Sequence, residues 1–297
     1  MFLTQIVQMV ILGILLGGLY ALMGIGLTLI FGVSRIVNFA HGEFVMLAMY
    51  ITFWLWTLAH IDPLISVLIC FAILFFFGMG AQYTTVRPTL GGSPVMHIFT
   101  TGALAVAMRN LALFFWKADF RSVTTSYSSE SLNCWGVMVA VPKLIALILI
   151  LLISVGLFIF FKTTYLGKAI RATTQDRTAA RLMGINTDRT TTIAFGIGSA
   201  FAGIAGAILM LVYYAFPEIG IHLIMVAFIV VVLGGLGNIF GALIAGFIVG
   251  ISEVVSGIFL PTVLKETVYF FIFILVLLLK PSGLFGLGRG SEELGLK

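Results

Sequence analysis

Apolar runs long enough to cross a bilayer follow one another along almost the whole of this chain, with only short polar stretches between them. A hydrocarbon core about 30 Å thick calls for roughly 20 residues of helix, and at that depth the backbone must satisfy its own hydrogen bonds. Hydropathy places spans at 6–31, 43–60, 64–83, 95–116, 144–161, 192–213, 222–236, 240–258 and 268–280. Little is left over for a soluble domain. With 61% hydrophobic and 9% charged residues, the fold class expected is an all-α integral membrane protein. It is a polytopic bundle of about 8–9 transmembrane helices forming one domain over 1–297.

The loops give the orientation. The stretch 162–189 carries six Lys and Arg against two Asp, the largest basic excess in the chain, so it is expected on the cytoplasmic side. Counting back puts the N-terminus outside, "SRIVNFAHG" and "TTVRPTLGGS" inside, and the loop 117–143 outside, where Lys117, Arg121 and Lys143 face Asp119 and Glu130. The first charged residue is Arg35, so the opening run lacks a basic n-region and is too long for a signal-peptide core; it is expected to stay in the mature protein. Cys70 and Cys134 suggest neither a disulfide framework nor a metal cluster. The net charge of +5 lies in inter-span loops, which argues for membrane topology and against nucleic-acid binding.

Parity after His222 turns on "VVLGGLGNIFGALIAG". Gly234, Gly235, Gly237 and Gly241 with Asn238 make a poor helix interior, each glycine costing about 1 kcal/mol relative to alanine. A break is therefore expected, leaving the C-terminus inside. Either a helix crossing or exposed backbone lining a pathway accounts for the glycines. Small residues also recur four apart at Ser199, Gly203 and Ala207, and at Ala242, Gly246 and Gly250, a spacing that lets helices approach closely within the subunit or against another.

The charged stretch "KTTYLGKAIRATTQDRTAARLMGINTDR" is expected to hold one helix over 168–184, with Gly184 as its C-terminal stop. Ala172, Ala179, Leu182 and Met183 tend to one side; Lys168, Arg171, Arg177 and Arg181 spread around the rest. Acidic head groups of membrane lipids would hold such a helix through its bases. A docking helix for a cytoplasmic protein is the alternative, favoured by the apolar knobs and by Asp176 and Asp188 among the bases.

The same run closely resembles the cytoplasmic segment of branched-chain amino acid ABC importer permeases of the LivH type. The resemblance extends to "VNFAHGEFVMLAMY", Arg87–Pro88, "RNLAL" from Arg109, "VVLGGLGNIFGALIAGFIVGISE" and "KPSGLFG", in the family's order over almost the whole chain. Two stretches depart from it, "YTTVRPTLGGS" and "SVTTSYSSESLNCWG". The resemblance implies a multi-pass permease of the cell inner membrane, half of a translocation pore, carrying branched-chain or related amino acids inward. It implies as partners a second related permease, two cytoplasmic ATPases that bind the ATP and Mg, and an extracytoplasmic binding protein. The residues around Lys168, Arg171, Asp176, Arg177, Arg181, Leu182, Met183 and Gly184 would then be the coupling helix.

No G-x-x-x-x-G-K-[ST] loop, H-E-x-x-H site or G-x-S-x-G elbow occurs, so the chain is expected to be a translocation subunit with no catalytic residue, cofactor or metal of its own. Pathway candidates are Asn38, His41 and Glu43 in "NFAHGE", Arg109 and Asn110 in the fourth span, and Gly234, Gly235 and Gly237. For the first group the competing reading is a polar turn with Asn38 as a cap. For Arg109 it is snorkelling, since Trp116 lies about 10 Å along the helix. Urea or short-chain amide import is the nearest alternative function. An ion-coupled transporter is disfavoured, because it would carry coupling carboxylates inside its spans, and apart from Glu253 near a helix end these spans hold none outside their termini. A scaffold held by lipid alone is the third reading.

Overall fold

The computed structural model describes residues 2–286 except 90, 126, 128, 129, 135, 136, 262 and 263. Among them eleven α-helices and one hairpin form, in the order α1 (Phe2–Ser34), α2 (His41–Ala59), α3 (Pro63–Ala81), α4 (Pro94–Trp116), β1 (Ser131–Cys134), β2 (Val137–Ala140), α5 (Val141–Thr163), α6 (Tyr165–Gln175), α7 (Arg177–Leu182), α8 (Thr187–Leu209), α9 (Ile219–Gly234), α10 (Ile239–Ser256) and α11 (Lys265–Leu279). All nine expected spans are helical, and seven are long and apolar enough to cross a membrane. The third is longer than hydropathy suggests, because α3 continues through a wide turn at Gln82–Val86 and a tight one at Arg87–Thr89. The C-terminal residues 287–297 lie outside the described residues.

Two compact units divide the chain: 1–25, 124–151 and 226–297 in the first, 26–123 and 152–225 in the second. In the first unit the small residues of α1 and α10 meet back to back. A side chain on Gly246 would run into the backbone of Ala21, and one on Gly250 into that of Gly17. The pairs 246 with 21 and 250 with 17 make the two helices antiparallel. The expected small-residue face of α10 thus packs within the chain. Glu253, one turn further on, is buried and accepts a hydrogen bond from the Tyr20 hydroxyl at 2.8 Å, with Lys265 Nζ 3.6 Å away. The hairpin β1–β2 pairs antiparallel from Ser131 with Ala140 to Cys134 with Val137.

The expected break between α9 and α10 is present. Gly235 and Gly237 adopt φ of +102° and +83°, conformations that L side chains resist. Asn238 caps α10 by accepting from Gly241 N. The carbonyls of Leu233 and Gly234 at the end of α9 accept from the N–H groups of Leu284 and Phe285, and Asn238 Nδ2 donates to Phe285 O at 2.8 Å. "KPSGLFG" therefore folds back to satisfy the orphan carbonyls of a helix that ends early.

In the second unit α3 and α8 run antiparallel. Ser199 sits against Gly78, Gly203 against Cys70, and Thr192 Oγ1 donates to Gln82 Oε1 at 2.7 Å. Helices α2 and α4 run parallel, since Thr101 Oγ1 donates to Val37 O, Arg109 to Glu43, and Tyr50 stacks on Trp116 at 4.1 Å.

The charged stretch is not one helix. Asp176 takes an extended conformation (φ −152°, ψ 109°), ending α6 and capping α7 by accepting from Thr178 N and Ala179 N. Strong helix formers on both sides concealed this, because the bend is made by one side chain competing for the backbone. Gly184 does stop α7, with φ +82°, and Asn186 then caps α8. We expect Asp176→Ala to cost about 1 kcal/mol of local stability. Amide hydrogen exchange at 177–182 should quicken while that of α8 stays unchanged.

Candidate functional site

The candidate pathway residues at the start of α2 are delivered by a non-helical segment, 35–40, that follows α1. Arg35 opens it with φ +58°, a left-handed conformation that ends α1. Asn38 then accepts from Ala40 N through Oδ1 at 3.1 Å, and its carbonyl accepts from His41 N. This is a turn stabilised by its own side chain; Asn38 does not cap α2, whose first residue follows Ala40 with no side-chain cap. Asn38, His41 and Glu43 are all buried.

Glu43 Oε1 accepts from Arg109 Nε at 3.1 Å and from Nη2 at 2.5 Å. The carboxylate is 1% exposed and the Arg109 side chain 23%. Arg109 therefore does not snorkel toward Trp116; its guanidinium folds across to α2. Along α4 the pair lies about 22 Å from Pro94 and about 10 Å from Trp116 at helical rise. "NFAHGE" is thus not level with the start of α4. The parallel pairing of α2 and α4 carries it well along that helix, where an ionised carboxylate needs its partner.

Glu43 Oε2 is buried and makes no hydrogen bond, and neither does Asn38 Nδ2. That oxygen lies against Gly220, at the start of α9, where an added side chain would collide with the carboxylate; Gly42 packs equally closely on the Gly220 carbonyl and Ile224 N. Three elements therefore meet at one ion pair: α2, α4 and the α9 terminus. Gly220 escaped the sequence reading, since nothing marks it among the thirty-three glycines.

The other candidates have surroundings of their own. Asn110 is exposed and donates to Val106 O of its own helix. Gly234, Gly235 and Gly237 belong to the first unit, where Gly235 packs on the backbone of Gly286 and Gly234 on that of Gly241. On the charged stretch, Lys168 and Arg171 are exposed, while Arg177 and Arg181 both reach Asp188 Oδ1, at 2.9 and 3.4 Å. Both acids thus have work inside the segment, Asp176 as cap and Asp188 as clamp. Leu182 and Met183, 84% and 83% exposed, project from its tip. Arg35 Nη2 donates to Thr174 O at 3.0 Å, tying the end of α6 to the segment that leads to Glu43.

A chain of membrane-length helices with a folded polar segment between two of them is a multi-pass membrane protein. A family model described as the permease component of branched-chain amino acid transport systems matches residues 9–277, and the chain belongs to that family. It is 31% identical over 301 residues, 96% of this chain and 97% of the relative, to the high-affinity branched-chain amino acid transport system permease protein BraD of Pseudomonas aeruginosa. It is 30% identical over 298 residues, 95% of each, to LivH of Escherichia coli. The permease LivM of Salmonella typhimurium is 26% identical over 260 residues, 79% of this chain and 60% of that protein. No solved structure matches. The protein is a multi-pass inner-membrane permease subunit of an ABC importer.

Proposed function

We propose that this permease carries branched-chain amino acids inward as half of a heteromeric pore, driven by two cytoplasmic ATPases and supplied by an extracytoplasmic binding protein. The relatives' names support the substrate. The likeness to both LivH and LivM supports a second, related permease beside this one. ATP and magnesium belong to the ATPases. In this reading 162–190 is cytoplasmic and 117–143 extracytoplasmic, and α6–α7 is the coupling element.

The observation that carries the proposal is the pair Leu182 and Met183. Two adjacent large apolar side chains, more than four-fifths exposed at the tip of a capped, ion-clamped segment, are suited to seat in a partner's surface. A lipid anchor would have no use for the bond from Arg35 to Thr174, which makes α6 a strut onto the segment carrying Glu43. Movement of the coupling element then reaches the ion pair through Arg35 and the turn at Asn38.

The test is capture of the complex through a tag on this chain from its own membranes, followed by reconstitution. Leu182→Asp with Met183→Asp should abolish ATPase co-purification and leucine uptake. These two residues are the better probe, because Arg177→Glu would set an acid against Asp188 and disrupt the segment itself. ATPases retained at wild-type level would make the segment a lipid anchor. Uptake of urea without leucine would keep the mechanism and replace the substrate.

A further inference from the structure

We propose that the Glu43–Arg109 pair is a transit site for the α-amino-acid head group, opened by exchanging partners with the substrate. The inference rests on the amino-acid reading above and adds to it the place and chemistry of recognition.

A zwitterion crossing the hydrocarbon depth carries an ammonium and a carboxylate that each lose several kcal/mol of solvation unless compensated. A Glu–Arg pair at that depth offers the complementary charges. When the substrate enters, its carboxylate takes the Arg109 guanidinium and its ammonium takes the Glu43 carboxylate. Net charge stays zero and no ion is left alone, so the exchange avoids the penalty that follows when one partner of a buried pair is removed.

The geometry suits this exchange. Arg109 spends Nε and Nη2 on a single carboxylate oxygen, and its planar fork accepts a carboxylate in two-point fashion. Glu43 Oε2 is buried without a hydrogen bond, an arrangement that a purely structural pair in a closed core would be expected to avoid. It faces the bare Cα of Gly220, the first turn of α9, so a shift of that terminus uncovers the unused oxygen. Asn38 Nδ2, five residues before Glu43, is a second buried polar atom without a hydrogen bond. A neutral amide such as urea cannot make the exchange, so the site separates the amino-acid reading from its nearest alternative.

The test compares reconstituted wild-type complex with Glu43→Met plus Arg109→Met, an uncharged, unbranched pair of comparable volume. Replacing a buried ion pair by hydrophobic residues of similar volume is often neutral or stabilising, so the melting point should be no lower than that of wild type and the ATPases should stay attached, while the initial rate of leucine uptake falls at least tenfold. Uptake by the double variant equal to wild type would show the pair to be structural and overturn the proposal. A second measurement is independent of any variant: the diazirine analogue of leucine, photolysed during turnover of the wild-type complex, should label peptides containing Glu43, Arg109 or Gly220. Labels confined to other segments would overturn it too. Wild-type complex that takes up no leucine would remove the substrate reading, and this inference with it; uptake by wild type and variant alike removes the inference alone.

Discussion

Arg109→Ala is expected to destabilise the folded permease by about 3–5 kcal/mol, because it leaves the Glu43 carboxylate buried with no counter-ion. Glu43 is 1% exposed, so the charge must be neutralised by protonation or hydrated by opening the α2–α4 contact. The reciprocal change is milder. Glu43→Gln leaves an amide oxygen for Arg109 to donate to, and the guanidinium, 23% exposed, retains partial access to solvent. Thermal melts of the detergent-solubilised complex should rank wild type above Glu43→Gln, and Glu43→Gln well above Arg109→Ala. Equal melting points for all three would mean that the carboxylate finds another partner and that the pair contributes nothing to the fold.

The sequence carried the spans because hydropathy is a local and strong signal, and all nine appear as helices. Gly235 and Gly237 announced the break after α9 for the same reason: glycine's cost in a helix is paid locally. What escaped the sequence depends on contacts between distant residues. Glu43 and Arg109 are sixty-six residues apart, and only the parallel packing of α2 and α4 puts one beside the other. Arg109 taken alone looks like a side chain reaching for the interface. Asp176 and Asp188 read as hints of a docking partner, yet one caps a helix and the other clamps Arg177 and Arg181. "KPSGLFG" was recognisable by resemblance only; its task, closing the open carbonyls of α9, needs the folded chain.

Glycine replacements should separate these two kinds of information sharply. Gly42→Leu is expected to prevent assembly of the second unit, since even its Cβ would meet the Gly220 carbonyl and Ile224 N, which are backbone atoms with no rotamer to yield. Overpacking by a methyl group alone costs about 1–3 kcal/mol and sometimes more, so Gly42→Ala should already lower the melting point, and the branched side chain should exceed what a membrane domain tolerates. Gly246→Ala predicts the same in the first unit, where the obstacle is the Ala21 backbone and the antiparallel α1–α10 crossing must widen. Gly80 and Gly156, which sit in equally apolar helices, have open space around them. Alanine there removes about 1 kcal/mol of helix cost and should leave the melting point unchanged or raise it. In sequence only Gly246 carries a packing signal, through its spacing from Ala242 and Gly250; Gly42, Gly80 and Gly156 carry none. Melts in which Gly80→Ala falls as far as Gly42→Ala would contradict the packing described for α2 against α9, and with it the placement of Gly220 on the Glu43 carboxylate.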